Sequence, residues 1–298
     1  MRSQRIRGLL MVAPPVLVVA LFVGFPVLTA AMYTLGHTGG PNSVVASIGQ
    51  RQHFADHWWG TTDAYAEVFA SQQFQRSVVA TMIVTVVSVA VTLTLAWAIA
   101  LYVRLSGSRV AKVFSALAVV PLFIPVVIAS YAILTFYASD GFVRTVAALL
   151  GWESAPTFSY TMVAVTIAQV WVNLPFGVLM MTSGLAAVPD VLIDAARDAG
   201  ASLPRAVVSV LVPLNLVPTV IVASFTGIAV LGSFTVPYLT GPSAPNMLGP
   251  LMTNTFGAFN QPQQAQVMAM VVFAIAAGIG AVYVWANFRS AKRSGAVL

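Results

Sequence analysis

The chain has no cysteine among its 298 residues, and only 7% of them are charged. The first absence removes a disulfide framework, a thiol nucleophile and a thiolate metal site. The second sets the chain apart from ordinary soluble domains, which carry about 25% charge. Lysine occurs only at Lys112 and Lys292, and no charged residue lies between Arg205 and Arg289. The chain contains no G-x-x-x-x-G-K-[ST] phosphate loop, so it does not bind ATP by that route. What remains is 59% hydrophobic. Long continuous apolar runs, rather than short alternating ones, exclude a β-barrel and predict an all-α, polytopic membrane helix bundle.

Six transmembrane helices are expected, over about residues 9–33, 78–103, 113–137, 160–185, 207–231 and 267–288. The first follows the basic start MRSQRIR but is longer than the roughly 7–15 apolar residues of a signal peptide, so it reads as a retained helix. With both termini inside, Arg2, Arg5, Arg7, Arg104, Arg109, Lys112, Arg197, Arg205, Arg289, Lys292 and Arg293 are internal, whereas only Arg51, Arg76 and Arg144 are external. That division, eleven against three, follows the positive-inside rule and places both termini in the cytoplasm of a bacterial inner membrane. The net charge of +6 is thus a topology signal and implies no nucleic acid. Trp58, Trp59, Trp152 and Trp285 read as interfacial anchors.

None of the six spans contains Asp, Glu, Lys, Arg or His. Proton-coupled carriers and voltage sensors need such groups within the membrane. Hydrolytic or redox chemistry there would need an acid/base pair or a metal cluster. Uphill transport would therefore draw its energy from a separate ATPase; a secondary carrier, a passive channel or a scaffold for a soluble complex are the other classes considered.

The polar island PDVLIDAARDAGASLPRAVVSVLVP, starting at Pro189, is the place for an ATPase to dock. It holds Asp190, Asp194, Arg197, Asp198 and Arg205. Pro189 opens a helix whose first turn carries Asp190, where a carboxylate suits the positive end of the dipole. Ala195, Ala196 and Ala199 keep one face thin, Gly200 ends the helix or allows a left-handed turn, and a second segment runs from Ser202 to Pro213.

The island resembles the signature loop of permease subunits of binding-protein-dependent ABC importers. That pattern is Glu-Ala-Ala, three residues, Gly, nine residues, Ile, one residue, Leu-Pro. Here Asp194-Ala195-Ala196 precedes Gly200, and nine further residues lead to Val210, Leu211, Val212 and Pro213. The spacing matches throughout; Asp stands for Glu, Val for Ile and Val for Leu. The resemblance extends over about residues 69–285 of a single permease domain, 1–298. It implies the type I ABC importer permease fold, with cytoplasmic coupling helices at 189–205 seated on a partner ATPase pair. Asp194, Ala195, Ala196, Asp198, Gly200, Ala201, Arg205 and Pro213 are then the coupling residues. It also implies a second permease, here expected to be a different chain, and an extracytoplasmic solute-binding protein. The chain itself would be non-catalytic and hold no cofactor, with ATP and magnesium bound by the partner. The stretch LGSFTVPYLTGPSAPNMLGP at 231–250 looks more like the polyamine-type branch than the sugar-type branch, so a polyamine-like solute is expected first. Sugars, glycerol phosphodiesters, phosphonates, thiamine and iron chelates stay open.

Pathway candidates are Gln169 and Asn173, which share a helix face, and Ser224, Thr226, Ser233, Thr235 and Tyr238. Hydrogen bonding between helices is the competing reading for each. Pro121, Pro125 and Pro175 are expected to kink their helices. In the outer loop 36–76, which holds His37, the pair His53 and His57 flank Asp56, but no clear third ligand accompanies them and no metal site is assigned. The loop's second half reads as a short surface helix leading into the second span. The uncharged, Gly- and Pro-rich stretch 239–263 can re-enter the membrane only where protein or water covers its backbone.

Overall fold

Every regular element of the computed structural model is helical, which is how an apolar chain satisfies its own backbone in lipid. Residues 2–293 are described. Met1 and residues 294–298 lie outside them, as do the side chains of Arg2, Arg5, Arg7, Lys292 and Arg293, which carry part of the orientation argument.

The described residues form two compact units, one of 2–75 with 251–273 and one of 76–250 with 274–293. Among the described residues, four helices are long and apolar enough to cross a membrane: Leu10–Thr34, Gln72–Ser106, Met162–Ala186 and Pro262–Arg289. Two bent pairs, Arg109–Phe123 with Val126–Phe136 and Leu203–Leu214 with Leu216–Leu231, raise the number to six if each pair is one span.

In chain order the elements are α1, Arg2–Val19 continued through a π-turn at Ala20–Gly24 into Phe25–Thr34; α2, Ser43–Ile48; α3, Asp63–Ala70; α4, Gln72–Ser106; α5, Arg109–Val119; α6, Val126–Phe136; and α7, Phe142–Leu149. They continue with α8, Met162–Ala186; α9, Asp190–Asp198; α10, Leu203–Leu214; α11, Leu216–Leu231; α12, Thr235–Thr240; α13, Leu248–Thr253; and α14, Pro262–Arg293.

The prolines act unequally. Pro121 lies within a 3₁₀ turn at Val120–Phe123 and Pro125 is the N-cap of α6, and the chain bends there by 111°, far beyond a kink. Pro175 lies inside α8 without interrupting its assigned helix. A second break of 65°, at Asn215 between Pro213 and Pro218, was not expected. Pro218 has no N–H for the Leu214 carbonyl, so the helix cannot continue its ladder there.

The larger unit is built around α4, α8 and α11. One apolar cluster joins Ala96 and Ala100 of α4 to Val178, Met181 and Leu185 of α8, then to Val188, Leu211 and Val222. A second joins Val84, Val165, Ala168, Val230, Val236 and Met247. Close approach of α8 to α4 depends on Gly177, where an added Cβ would lie 3.1 Å from Ala96 and 3.3 Å from Thr92. Small residues at such crossings substitute for the hydrophobic drive that lipid removes. The 239–263 stretch is partly helical, with Met247, Leu248 and Leu251 buried and the Leu248 N–H donating to Thr81 Oγ1 at 2.9 Å.

In the smaller unit the loop after α1 folds back on the helix end. Gly36 (φ +87°) and Gly60 (φ +105°) let backbones meet there: a Cβ at Gly60 would lie 2.4 Å from the Leu35 carbonyl oxygen. Gln263, fully buried, accepts from the His53 N–H (2.8 Å) and donates to the Tyr33 and His53 carbonyls. Gln264 donates to the Arg51 carbonyl (2.6 Å) and to Glu67 Oε2 (3.1 Å). His53 Nε2 lies 2.9 Å from the same Glu67 oxygen, while the His57 ring stacks on Trp59. The surface helix before the second span is α3, separated from α4 by an extended Ser71.

Candidate functional site

The island folds as a helix, a tight turn and a second helix. α9 starts at Asp190, with Pro189 in the extended N-cap position rather than inside the helix. Its end is a Schellman turn: the Gly200 N–H donates to the Arg197 carbonyl (2.8 Å) and the Ala201 N–H to the Ala196 carbonyl (3.0 Å). Gly200 takes φ +84°, the left-handed conformation that side chains disfavour. The motif glycine is thus a geometric requirement of the turn. α10 then begins at Leu203 and passes through a π-turn at Val207–Leu211 to Pro213.

Asp194, Ala195, Arg197, Asp198 and Gly200 are exposed, Ala196 and Ala201 half-buried, and Arg205 and Pro213 exposed. An open cleft of about 500 Å³ is lined by Asp194, Arg197, Asp198, Gly200, Ala201 and Ser202. On the opposite side Ile193, Val207 and Val210 pack against the α4–α8 core. The island therefore presents a charged face outward while its apolar face is locked to the bundle.

One residue that fastens it escaped the sequence reading. Arg104, at the end of α4, donates to the Val188 carbonyl (2.9 Å) and forms an ion pair with Asp190. Asp190 thus has a partner 86 residues away in addition to its place at the helix dipole. No local spacing could have found that contact.

The seven pathway candidates fall into two settings. Gln169, Ser224 and Thr226 are buried inside the larger unit, and Gln169 Nε2 and Thr226 Oγ1 have no hydrogen-bond partner there. Asn173, Ser233 and Thr235 are half-buried and Tyr238 is exposed, its ring stacked on Phe234 at 4.9 Å. Asn173 donates to the Gln169 carbonyl of its own helix (2.8 Å) rather than to another helix.

A further polar line was missed. Ser77, Thr81, Thr85, Ser88 and Thr92 recur at helical spacing along α4, and all five are buried. Ser77, Thr85, Ser88 and Thr92 have hydroxyls without a hydrogen-bond partner. The periodicity was readable in the sequence, but the apolar residues around each hydroxyl masked it.

No protein-family model matches the chain. It is 31% identical over 169 residues to the diacetylchitobiose uptake system permease protein DasB of Streptomyces coelicolor, covering 54% of this chain and 51% of that one. It is 32% identical over 161 residues to the trehalose transport system permease protein SugA of Mycobacterium tuberculosis, covering 53% and 51%. The chain thus spans about half the length of these curated relatives. The spermidine/putrescine transport system permease protein PotB of Salmonella typhimurium matches at 29% over 44% of this chain. The expected lean toward the polyamine-type branch is therefore not supported: relatives named for sugars match better. A solved bacterial ABC transporter involved in alginate import superposes with a TM-score of 0.73 at 16% identity, over 98% of this chain and 96% of that one. The chain has the helical fold of an ABC-transporter permease and is similar in sequence to importer permeases, mostly ones named for sugars.

Proposed function

We propose that this chain is the membrane-spanning, non-catalytic subunit of an ATP-driven importer for a sugar-class solute. The observation that carries the coupling role is the island's construction. A charged face and an open cleft are held at a fixed angle by the Gly200 turn, tied to α4 through Arg104, and continued directly into α10 and α11. An ATPase seated on α9 would move a rigid knob rather than a loop, and that movement would reach the membrane at the Asn215 break. The chain would supply half of the pathway beside a second permease, with solute delivered from outside by a binding protein. The lack of ionisable groups in the expected spans fits a device driven by a partner.

Purification of the tagged chain from its host in mild detergent tests the class. Stoichiometric recovery of an ATPase and a second permease is the expected result. Recovery alone, under conditions that keep a control transporter whole, would turn the reading toward a carrier or channel. Gly200→Pro tests the mechanism: proline cannot adopt φ +84° and removes the N–H donated to Arg197. Insertion should persist and solute-stimulated ATP hydrolysis should be lost; normal stimulation would remove the coupling role from α9.

A further inference from the structure

The smaller unit contains a pocket of about 340 Å³ walled by α3, the start of α4 and the turn before α14. Its polar lining includes Arg51, Glu67, Gln261 and Gln264. Val68, Leu251, Met268 and the half-exposed ring of Phe259 form the apolar part. Gln264 is 3% exposed, and its Oε1 has no donor although its amide N–H groups are held by Arg51 and Glu67. A buried acceptor left without a donor is costly, and a ligand hydroxyl that reached it would satisfy it.

We propose that this pocket binds one neutral sugar ring. A polyamine would meet the Arg51 guanidinium, and an anion would meet the Glu67 carboxylate. Burial raises the Glu67 pKa, but hydrogen bonds from His53 and Gln264, then the charges of His53 and Arg51, outweigh it and keep the carboxyl below its usual range. The wall therefore offers opposite fixed charges and side-chain amides, which a hydroxyl can satisfy as both donor and acceptor. Phe259 provides an apolar face for the C–H side of a pyranose. The volume lies near the lower end of ligand sites, enough for one ring and too small for an oligosaccharide. The residues belong to segments next to the outer loop, so the pocket would meet solute on the extracytoplasmic side. Its biological role rests on the sugar-importer reading, whereas sugar binding itself rests on the lining alone.

Because the chain has no cysteine, Ser71→Cys places a single thiol in the pocket wall. The full-length variant in lipid nanodiscs, without ATPase or binding protein, is labelled with a maleimide in the presence of methyl α-glucoside, methyl α-galactoside, methyl α-mannoside or putrescine. At least one glycoside should slow labelling by 1 + [L]/Kd, about threefold at twice its Kd, and putrescine should not. Glu67→Gln and Gln264→Leu, each added to Ser71→Cys, should abolish protection while unfolding midpoints show that the chain remains folded. The proposal is overturned if no glycoside protects, if putrescine protects equally, or if protection survives both replacements. No ATPase is present, so absent protection leaves the importer reading intact, and failure to capture an ATPase leaves the pocket intact.

Discussion

Gly184→Ala tests the packing at the second break. Gly184 faces the Asn215 turn, where an added Cβ would lie 2.0 Å from Asn215 Oδ1 and 2.6 Å from Pro218 Cγ. Both distances are well inside van der Waals contact. The Asn215 side chain is fully buried and its amide is directed at Met181 Sδ (3.3 Å), while Pro218 is a ring that cannot rotate away. One methyl group must therefore separate α8 from the α10–α11 junction, a cost of about 1–3 kcal/mol for overpacking, against which alanine's helix preference returns about 1 kcal/mol. Gly278→Ala on α14 is the internal control, because nothing lies within 4 Å of its added Cβ and alanine favours helix by about 1 kcal/mol. Gly177→Ala, with neighbours at 3.1 and 3.3 Å, should fall between them. Thermal unfolding of the three variants in one detergent should rank Gly184→Ala lowest and Gly278→Ala at or above the parent, with roughly 2–4 °C for each kcal/mol. A Gly184→Ala midpoint equal to that of Gly278→Ala would refute the contact and the packing argument built on it.

Arg104→Met should loosen α9 without unfolding the bundle, seen as faster amide exchange over 190–198 and weaker ATP-coupled transport. Equal exchange in parent and variant would count against the tether. For Glu67 the folded pKa is depressed, so its contribution to the smaller unit is present above the unfolded value of about 4.3 and is lost as pH falls through the folded one. Amide exchange over 51–67 should therefore rise in strong acid for the parent, and Glu67→Gln should flatten that rise; identical profiles would remove Glu67 as its origin. Orientation follows from single thiols in the cysteine-free chain. Lys112→Cys should react with an impermeant maleimide only in inside-out vesicles, and Glu153→Cys only in right-side-out ones; the reverse pattern would invert the topology.

The fold of the island was legible because its punctuation is local. Pro189 and Gly200 mark the ends of α9, and the left-handed turn leaves a glycine at a fixed spacing. The apolar runs located the spans by length. Their continuity was less readable: Pro121 and Pro125 announced a disturbance, but its 111° depends on a 3₁₀ turn that contains Pro121 and on packing beyond it. Arg104 read only as a topology charge, because its partners come together through the fold. Gln263 and Gln264 carried no signal in the sequence, yet they bond to backbone carbonyls at Tyr33, His53 and Arg51 in the smaller unit. The polyamine lean came from a short stretch at 231–250, too little to outweigh similarity spread over half the chain.

The hydroxyl line of α4 has a mechanical meaning. Between Thr81, held by the Leu248 N–H, and Arg104, held at Val188 and Asp190, no buried side chain of that line hydrogen-bonds to a neighbouring helix. The 23 residue steps from Thr81 to Arg104 span about 35 Å at 1.5 Å each. Over that length α4 is held to its neighbours by apolar packing, as at Ala96 and Ala100, rather than by side-chain hydrogen bonds. Under the importer reading, a push applied at the island end would meet no hydrogen bond of that line to break on its way to Leu248.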